Sequence, residues 1–168
     1  MSCYNSDAGC NISLQSLDLF PSLKTLYLYG FSFNDSYSQT KLDGLSNLED
    51  LHITCYSTTD CNFRLQSLDL FPSLKTLSLK GFSVNDSHSQ ISNLSKLEDL
   101  RISCYSTDSD CNFWLQSLDL FPSFKILFLD EINFNDSRSQ TNSLNNLEDM
   151  YISCKSGGTT KIKLWLNL

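Results

Sequence analysis

The sequence predicts an α/β repeat solenoid, an open horseshoe whose concave side is a parallel sheet of about six strands. The segment 14–26 returns unchanged at 65–77, and it returns at 115–127 with two substitutions, Phe124 and Ile126. Within each of these units a shorter apolar motif recurs at intervals of about 25 residues. A hydrophobic content of 40% and a charged content of 18% are typical of a globular chain.

The shorter motif is L-x-x-L-x-L or a close variant of it. We call the copies that begin at Leu23, Leu74 and Phe124 type a, and those that begin at Leu48, Leu97 and Leu147 type b. The period falls within the roughly 20–29 residues of leucine-rich repeats. Side chains alternate between the faces of a strand, so the last two apolar positions enter the core and the residue between them points outward, onto the concave sheet.

The segments after the strands depart from a standard repeat, which carries Asn or Cys three residues beyond the last apolar strand position. Type a copies have Phe31, Phe82 and Ile132 there, so we expect an irregular horseshoe with aromatic filling along this edge. On the convex side we expect irregular loops, short helices or short strands, the last of these at the alternating segment 61–65. Proline disfavours helix in the residue before it. The recurring Phe-Pro-Ser should therefore end each convex segment, with the chain extended into the strand.

We expect a single domain, one solenoid over residues 1–168 that contains three double repeats of about 50 residues and is truncated at both ends. The chain starts at the equivalent of Thr54-Cys55 and stops before another Phe-Pro-Ser-Leu-Lys. The strictly alternating stretch 161–168 predicts a partial cover for the last edge. This organisation indicates a fragment of a longer protein or a product of recent duplication.

The charge pattern restricts the partners and the compartment. A net charge of −7 without basic clusters argues against nucleic acid and anionic membranes as partners. No basic and apolar leader precedes the repeats, and no apolar run approaches the ~18 residues of a membrane span. We therefore expect a cytoplasmic or nuclear protein with reduced cysteines.

Seven cysteines invite two further interpretations. The pairs Cys3/Cys10, Cys55/Cys61 and Cys104/Cys111 are spaced for local disulfides, but not for the tight ligand pairs of a structural zinc site. Reduced packing cysteines remain our expectation, with disulfides and a metal as alternatives, and we predict no metal and no cofactor. Five N-x-S/T sequons, at Asn11, Asn34, Asn85, Asn93 and Asn135, matter only in a secreted protein and otherwise reflect loop composition.

No motif indicates an enzyme. The Glu-Asp pairs that begin at Glu49, Glu98 and Glu148 are adjacent in sequence and are best interpreted as a solvated sheet rim, although paired carboxylates can perform acid–base work. The two histidines, His52 and His88, lie on different element types without a neighbouring nucleophile. Phosphate-binding loops, nucleophile elbows and zinc-protease helices are missing.

The concave sheet is therefore the candidate functional surface. Its outward residues change from copy to copy while their neighbours repeat almost letter for letter. Aromatic and arginine side chains tend to anchor interfaces, so we predict that a protein partner binds there. Drift at unconstrained surface positions would produce the same variation. The candidate binding residues are Tyr27, Tyr29, His52, Lys80, Arg101, Phe128, Asp130 and Tyr151.

The phrases Phe20-Pro-Ser-Leu-Lys-Thr-Leu-Tyr-Leu28 and Asn47-Leu-Glu-Asp-Leu-His-Ile-Thr-Cys55 resemble the leucine-rich repeats of plant F-box proteins, including those with FBD domains. This resemblance covers nearly the whole chain and implies the substrate-recognition part of a cullin-type ubiquitin ligase adaptor. No F-box segment is present, and the family's Cys-Pro before Leu-Glu-Asp is replaced by residues such as Ser46-Asn47. Two alternatives stay open: a fragment of an extracellular leucine-rich-repeat receptor, and a truncated duplicate without independent function. The sequence specifies neither the partner nor the oligomeric state.

Overall fold

A computed structural model describes eleven stretches of the chain. They are residues 10–11, 20–32, 45–55, 62–63, 71–81, 83–84, 95–104, 112–114, 123–135, 146–154 and 163–167. Phe82, one of the positions where aromatic filling is expected, lies outside these ranges. The convex loops that follow the type a strands also lie outside them, as do Cys3, Cys61 and Cys111.

The described residues form one main sheet and several short strands. The main sheet consists of β2 (Thr25–Tyr29), β4 (Asp50–Thr54), β6 (Thr76–Lys80), β8 (Asp99–Ser103), β10 (Ile126–Asn135), β11 (Asp149–Cys154) and β12 (Lys163–Asn167). Its order is β12-β11-β10-β8-β6-β4-β2, in which the first six strands along the chain are parallel and β12 is antiparallel to β11. The predicted parallel sheet of six strands is therefore confirmed. With almost no helix among the described residues, the architecture fits an open repeat-type solenoid.

The register of the sheet follows the sequence motif. Leu26 pairs with Leu51, Leu51 with Leu77, and Leu77 with Leu100, and the same row continues through Leu127 and Met150. Equivalent positions of successive motif copies are thus direct neighbours in space. Each copy therefore adds one strand to the ladder.

The core lies beneath the sheet and is made of the motif's apolar residues. Leu48, Leu74 and Leu97, the first apolar residues of three copies, are fully buried. The strand positions alternate as expected: Leu77 and Leu79 are at most 1% exposed, and the residues beside them are more exposed. Burying a leucine side chain contributes about 1.5–3 kcal/mol. One motif copy cannot complete this burial alone, so packing between neighbouring strands of the sheet stabilises the fold.

The type a strands β2 and β6 are entered through a tight turn. The Leu23 N–H donates to the Phe20 carbonyl at 3.0 Å, and Leu74 makes the same bond to Phe71 at 3.0 Å. Proline fits the second position of such a turn because its φ is already fixed. The sequence predicts that the chain is extended from Phe-Pro-Ser into the strand. Instead, Phe-Pro-Ser forms a turn, and the strand begins after it. The first type b copy makes the same bond without proline, from Leu48 to Leu45 at 3.0 Å.

Short strands form a second row of pairing where the type a strands end. They are β1 (Cys10–Asn11), β3 (Phe31–Ser32), β5 (Asn62–Phe63), β7 (Ser83–Val84) and β9 (Asn112–Trp114). β1 pairs with β3, β5 with β7, and β9 with the far end of β10, all in parallel. The predicted short second strand after the type b strands is therefore present at Asn62–Phe63. Among the described residues, no helical segment has both the length and the hydropathy that a membrane-spanning helix requires.

The residue that follows the Leu-x-Leu-x segment of each type a copy has a left-handed backbone, and in β10 this residue lies inside the strand. Gly30 and Gly81 have φ values of 76° and 77°, and the equivalent Glu131 has a φ of 58°. Glycine adopts this conformation freely, whereas a residue with a Cβ loses about 1–2 kcal/mol in it. The register between β10 and β11 also shifts at this point, between Leu129 and Ile132.

Replacing Glu131 by glycine is therefore expected to raise the free energy of unfolding by about 0.5–1 kcal/mol, because the relieved strain exceeds the added chain entropy. Urea denaturation followed by circular dichroism measures the change. Gly81→Ala is the matched control, and it should lower the stability by about 1–2 kcal/mol. A destabilised Glu131→Gly variant would show that the side-chain contacts of Glu131 outweigh its backbone strain.

Candidate binding face on the main sheet

The side chains between the core positions form an outer face of three rows. The first row contains Thr25, Asp50, Thr76, Asp99, Ile126 and Asp149, the central row Tyr27, His52, Ser78, Arg101, Phe128 and Tyr151, and the third row Tyr29, Thr54, Lys80, Ser103 and Asp130. The structure thus brings all eight candidate residues into two adjacent rows of one ladder, and Tyr151 occupies the end of the central row. With a strand spacing of about 4.8 Å, the central row is about 24 Å long.

Three aromatic rings form a stack at the β2 end of this face. The rings of Tyr27 and His52 lie 4.5 Å apart and within 8° of parallel, and Tyr27 and Tyr29 lie 6.4 Å apart at 5°. Tyr27 is 44% exposed and Tyr29 is 41% exposed. These two tyrosines are large hydrophobic residues held on a rigid strand with much of their surface in solvent. Exposed aromatic side chains of this kind are typical of interface anchors.

A second aromatic pair lies at the other end of the central row, and it is much less accessible. Phe128 and Tyr151 stack with their ring centroids 4.4 Å apart, and Tyr151 is only 8% exposed. The expectation that Tyr151 is an exposed contact residue is therefore not met. Its strand lies between β10 and the antiparallel β12, where Tyr151 pairs with Trp165. The neighbouring Ser153 is 1% exposed, and its hydroxyl has no hydrogen-bond partner among the described residues.

Arg101, in the middle of the central row, is held in place by a carboxylate on its own strand. Its Nε donates to Asp99 at 2.9 Å and its Nη2 at 2.9 Å. This fork geometry fixes the guanidinium, and the bond to Asp99 raises the arginine pKa. In the third row, the Ser103 hydroxyl reaches Asp130 at 3.5 Å, and Lys80 is exposed.

A ladder of alternating charges runs along the edge where the strands begin. Type a copies place Lys24, Lys75 and Lys125 there, and type b copies place Glu49, Glu98 and Glu148. Because a and b strands alternate in space, unlike charges become neighbours. The ion pairs Lys24–Glu49, Lys75–Glu49 and Lys125–Glu98 have lengths of 2.9, 2.6 and 2.6 Å. Sequence reasoning identified the carboxylates as a solvated rim but missed this pairing, although the alternation of Leu-Lys and Leu-Glu was its visible signal.

Three residues of this ladder, Lys24, Glu49 and Lys75, line an open groove of about 360 Å³. Its lining residues are Ser22, Lys24, Asn47, Glu49, Ser73, Lys75 and Lys96. Glu49 is engaged by two lysines in this groove, Lys24 and Lys75. Across the described ranges no group of three or more His, Cys, Asp or Glu side chains is arranged to hold a metal ion.

The Lys75 and Lys24 ammonium groups lower the pKa of Glu49 from 4.5 to about 2, and Lys125 lowers the pKa of Glu98. A lowered carboxyl pKa adds stability above the unfolded-state value, and this is lost as the pH falls through the folded-state value. The melting temperature is therefore expected to fall between pH 4.5 and about 2. Added salt should weaken the effect because these groups face solvent.

Glu49→Gln should make the melting temperature less sensitive over this acid range. Glu148→Gln is the matched control, because Glu148 occupies the same ladder position and makes no ion pair with a described residue. Thermal melts at several pH values compare the two variants. If the two variants are equally sensitive to acid, the Lys24–Glu49–Lys75 cluster does not contribute to the stability of the folded chain.

Two cysteines at the ends of type b strands are in disulfide bonds. These are Cys55 and Cys104, which are 1% and 5% exposed. They cannot bond each other, because β6 lies between their strands and two strand spacings of about 9.6 Å exceed the reach of a disulfide. The expectation of reduced packing cysteines is thus wrong for these two positions. Cys61 and Cys111, their nearest neighbours in sequence, lie outside the described residues.

Neither the geometry of this face nor the repeat motif by itself identifies a protein family. Comparison with protein-family models, with curated proteins and with solved structures gave no match. The resemblance to F-box leucine-rich repeats therefore stays a prediction that rests on the motif residues themselves.

Proposed function

We propose that this chain is a non-enzymatic leucine-rich-repeat module, a solenoid that binds a protein partner through the outer face of its main sheet, as the concave face of a horseshoe. The observation that carries the proposal is the exposed stack of Tyr27, Tyr29 and His52 on two neighbouring strands. The exposed rings of Tyr27 and Tyr29 are not part of the hydrophobic core. Its rings are already ordered by one another, so binding costs little further side-chain entropy.

The charges of the outer face favour a partner with basic side chains. The first row carries a carboxylate on each type b strand, Asp50, Asp99 and Asp149, and the third row adds Asp130. Aromatic rings beside carboxylates attract lysine and arginine through cation–π and ionic contacts. The net charge of −7 steers such a partner toward the chain.

The F-box resemblance gives this binding a role as the substrate-recognition part of a ubiquitin ligase adaptor in the cytoplasm or nucleus. A second candidate has one specific observation in its favour. Disulfides at Cys55 and Cys104 are usual in oxidising compartments and rare in the cytosol. This supports the alternative of an extracellular leucine-rich-repeat fragment, which would bind through the same face.

The test introduces a photo-crosslinking amino acid at Tyr27, and at Phe20 as the control. Phe20 is 55% exposed but lies in the entry turn, away from the outer face. A partner that crosslinks from position 27 and not from position 20 is then purified for calorimetry. Replacing Tyr27, Tyr29 and Arg101 by alanine together is expected to weaken its binding by about 10-fold to 100-fold.

The thermal melt of the triple variant must stay close to that of the unaltered chain, since all three side chains are exposed. Equally tight binding by the triple variant would show that the partner uses another surface. Without any crosslinked partner, the alternative of a duplicate without independent function gains support. A partner that is ubiquitinated in cells only when the chain is present supports the adaptor role.

A further inference from the structure

The groove at the edge where the strands begin has more positive than negative charge in its lining. Residues from four successive motif copies line it, and three of them are lysines: Lys24, Lys75 and Lys96. The lining has one carboxylate, that of Glu49. The groove therefore has an excess of two positive charges, although the whole chain has a net charge of −7.

This excess comes from one departure from the repeat. The alternating Lys–Glu ladder is balanced by itself, whereas Lys96 stands where the other type b copies carry Asn47 and Asn146. Asn47 has a structural contact, because its Nδ2 donates to the Pro21 carbonyl at 2.9 Å. Lys96 is exposed, and it makes no hydrogen bond or ion pair with any described residue. Its ammonium group is therefore available to a ligand.

The other two lysines of the groove keep unused donors. Glu49 accepts one hydrogen bond from each of them, through Oε1 from Lys24 at 2.9 Å and through Oε2 from Lys75 at 2.6 Å. An ammonium group has three N–H donors, so two remain on each lysine within the described part of the chain. The side chains are 72% and 50% exposed. Glu49 thus holds two ammonium groups close together and leaves most of their donors open to solvent.

Two serine hydroxyls in the groove are available as well. Ser22 and Ser73 occupy the same position of the Phe-Pro-Ser turn, and both line the groove. In the third copy, the equivalent Ser123 hydroxyl donates to the Ser95 carbonyl. The Ser22 and Ser73 hydroxyls make no such bond to a described residue. They can therefore donate to a ligand beside the lysines.

The carboxylates next to the groove are already engaged. Glu98 and Asp50 lie close enough to Lys75 to act on its charge. Glu98 is bonded to Lys125 at 2.6 Å, and Asp50 accepts a hydrogen bond from the Thr25 hydroxyl at 3.1 Å. Exposed charges more than about 8 Å away are largely screened at physiological salt. The local excess in the groove, and not the net charge of the chain, therefore governs its attraction for a small anion.

We propose that this groove binds the dianionic phosphate of a phosphate monoester, carried either by a small phosphorylated compound or by a phosphorylated side chain of a peptide. Such a phosphate has a charge of about −1.5 to −2 at pH 7 and three strong acceptor oxygens. Its charge matches the excess in the groove, and the lysine and serine donors match its oxygens. A carboxylate has a single charge and would repeat only what Glu49 supplies. Tyr27 and Tyr29 do not line the groove, so this site goes beyond the partner-binding outer face.

Titration of the isotope-labelled chain, followed by NMR, tests the site. The probes are inorganic phosphate, a short peptide with a central phosphoserine, and the same peptide without its phosphate. Both phosphorylated probes are expected to shift the amide signals of Ser73, Lys75 and Lys96 in a saturable way, and the unphosphorylated peptide should leave them unchanged. Binding of the phosphopeptide more than about ten-fold tighter than that of phosphate identifies a phosphorylated polypeptide as the source, and similar affinities identify a small compound.

Lys96→Asn is the main variant, because it installs the residue that the first and third type b copies carry at this position. It is expected to weaken phosphate binding about three-fold to ten-fold. Lys80→Asn is the matched control, since it removes the same charge from an exposed side chain that does not line the groove. The control should bind phosphate as the unaltered chain does. If Lys96→Asn fails to fold, Ser73→Ala replaces it, with an expected loss of about two-fold to five-fold.

Glu49→Gln is expected to have the opposite effect and to tighten phosphate binding about two-fold to five-fold. A dianion held by Lys24 and Lys75 competes with the Glu49 carboxylate, so binding that is no tighter in this variant overturns the proposal. Groove amides that stay unshifted up to about 10 mM phosphate also overturn it, and so do equal losses in Lys96→Asn and Lys80→Asn. Partner binding through Tyr27 and Tyr29 is measured separately by crosslinking, so failure of either proposal leaves the other standing.

Discussion

Replacing Phe71 by alanine is expected to lower the free energy of unfolding by about 3–5 kcal/mol, whereas the same change at Phe20 should cost under about 1 kcal/mol. Both residues occupy the same position of the repeated Phe-Pro-Ser-Leu turn. Phe71 is 1% exposed and Phe20 is 55% exposed. The truncation removes the same atoms from both sites, but only at Phe71 does it leave a cavity between coils.

The comparison is informative because both variants keep the backbone bond that closes the turn. Leu74 donates to the carbonyl of Phe71 and Leu23 to that of Phe20, each at 3.0 Å, and alanine preserves these carbonyls. Urea denaturation followed by circular dichroism and by tryptophan fluorescence measures both variants. Agreement of the two probes is needed before a single free energy is assigned, because repeat arrays can unfold in parts. Similar losses at the two positions would show that Phe20 also packs against a neighbour in solution.

The cost at Phe71 also tests how stability is distributed. In a solenoid, each coil is stabilised by its nearest neighbours, so a cavity between two coils weakens one interface and not the whole array. The Phe71→Ala chain should therefore show earlier loss of the central coils. Coincident transitions by both probes would indicate that the short array behaves as one cooperative unit.

The motif predicted the strands correctly because the alternation of side chains between two faces is a local property of any strand. A strand alternates faces whatever surrounds it, so Leu77 and Leu79 had to share one face and Ser78 the other. Pairing of equivalent positions in successive copies then determined the register, and Tyr27 and His52 became neighbours. The alternation of type a and type b copies determined the Lys–Glu ladder as well, and that pairing was readable from the sequence once adjacent copies are known to be adjacent strands.

The parts that escaped prediction depend on where a copy lies in the array. Tyr27 and Tyr151 hold equivalent motif positions, yet one is 44% exposed and the other 8%. The motif cannot distinguish them, because the difference comes from the stacked Phe128 ring and from β12. The sequence predicts a partial edge cover at 161–168, but it does not show which residues that segment encloses. In the same way, the repeated Phe-Pro-Ser-Leu turn does not show that Phe20 is exposed and Phe71 is buried.

Adding a reductant is expected to lower the stability of the oxidised protein by about 2–4 kcal/mol for each disulfide, because the reduced chain regains conformational freedom in its unfolded state. Cys55 and Cys104 belong to separate disulfides, so at least four of the seven cysteines are oxidised. At most three thiols should therefore react in the denatured, unreduced protein, and all seven after reduction. Urea denaturation with and without dithiothreitol gives the difference in free energy.

The control is a Cys55→Ser, Cys104→Ser double variant, in which reductant should shift the stability far less. Seven reactive thiols without reductant, in protein expressed through a secretory route, would show that these disulfides do not form. The result bears on the two roles left open, because a cytoplasmic adaptor must fold with its thiols reduced. A cooperative transition in dithiothreitol keeps the adaptor role, since it shows that stacking of the leucine core is sufficient. A chain that folds only when oxidised belongs to an oxidising compartment, and its exposed tyrosines then face an extracellular partner.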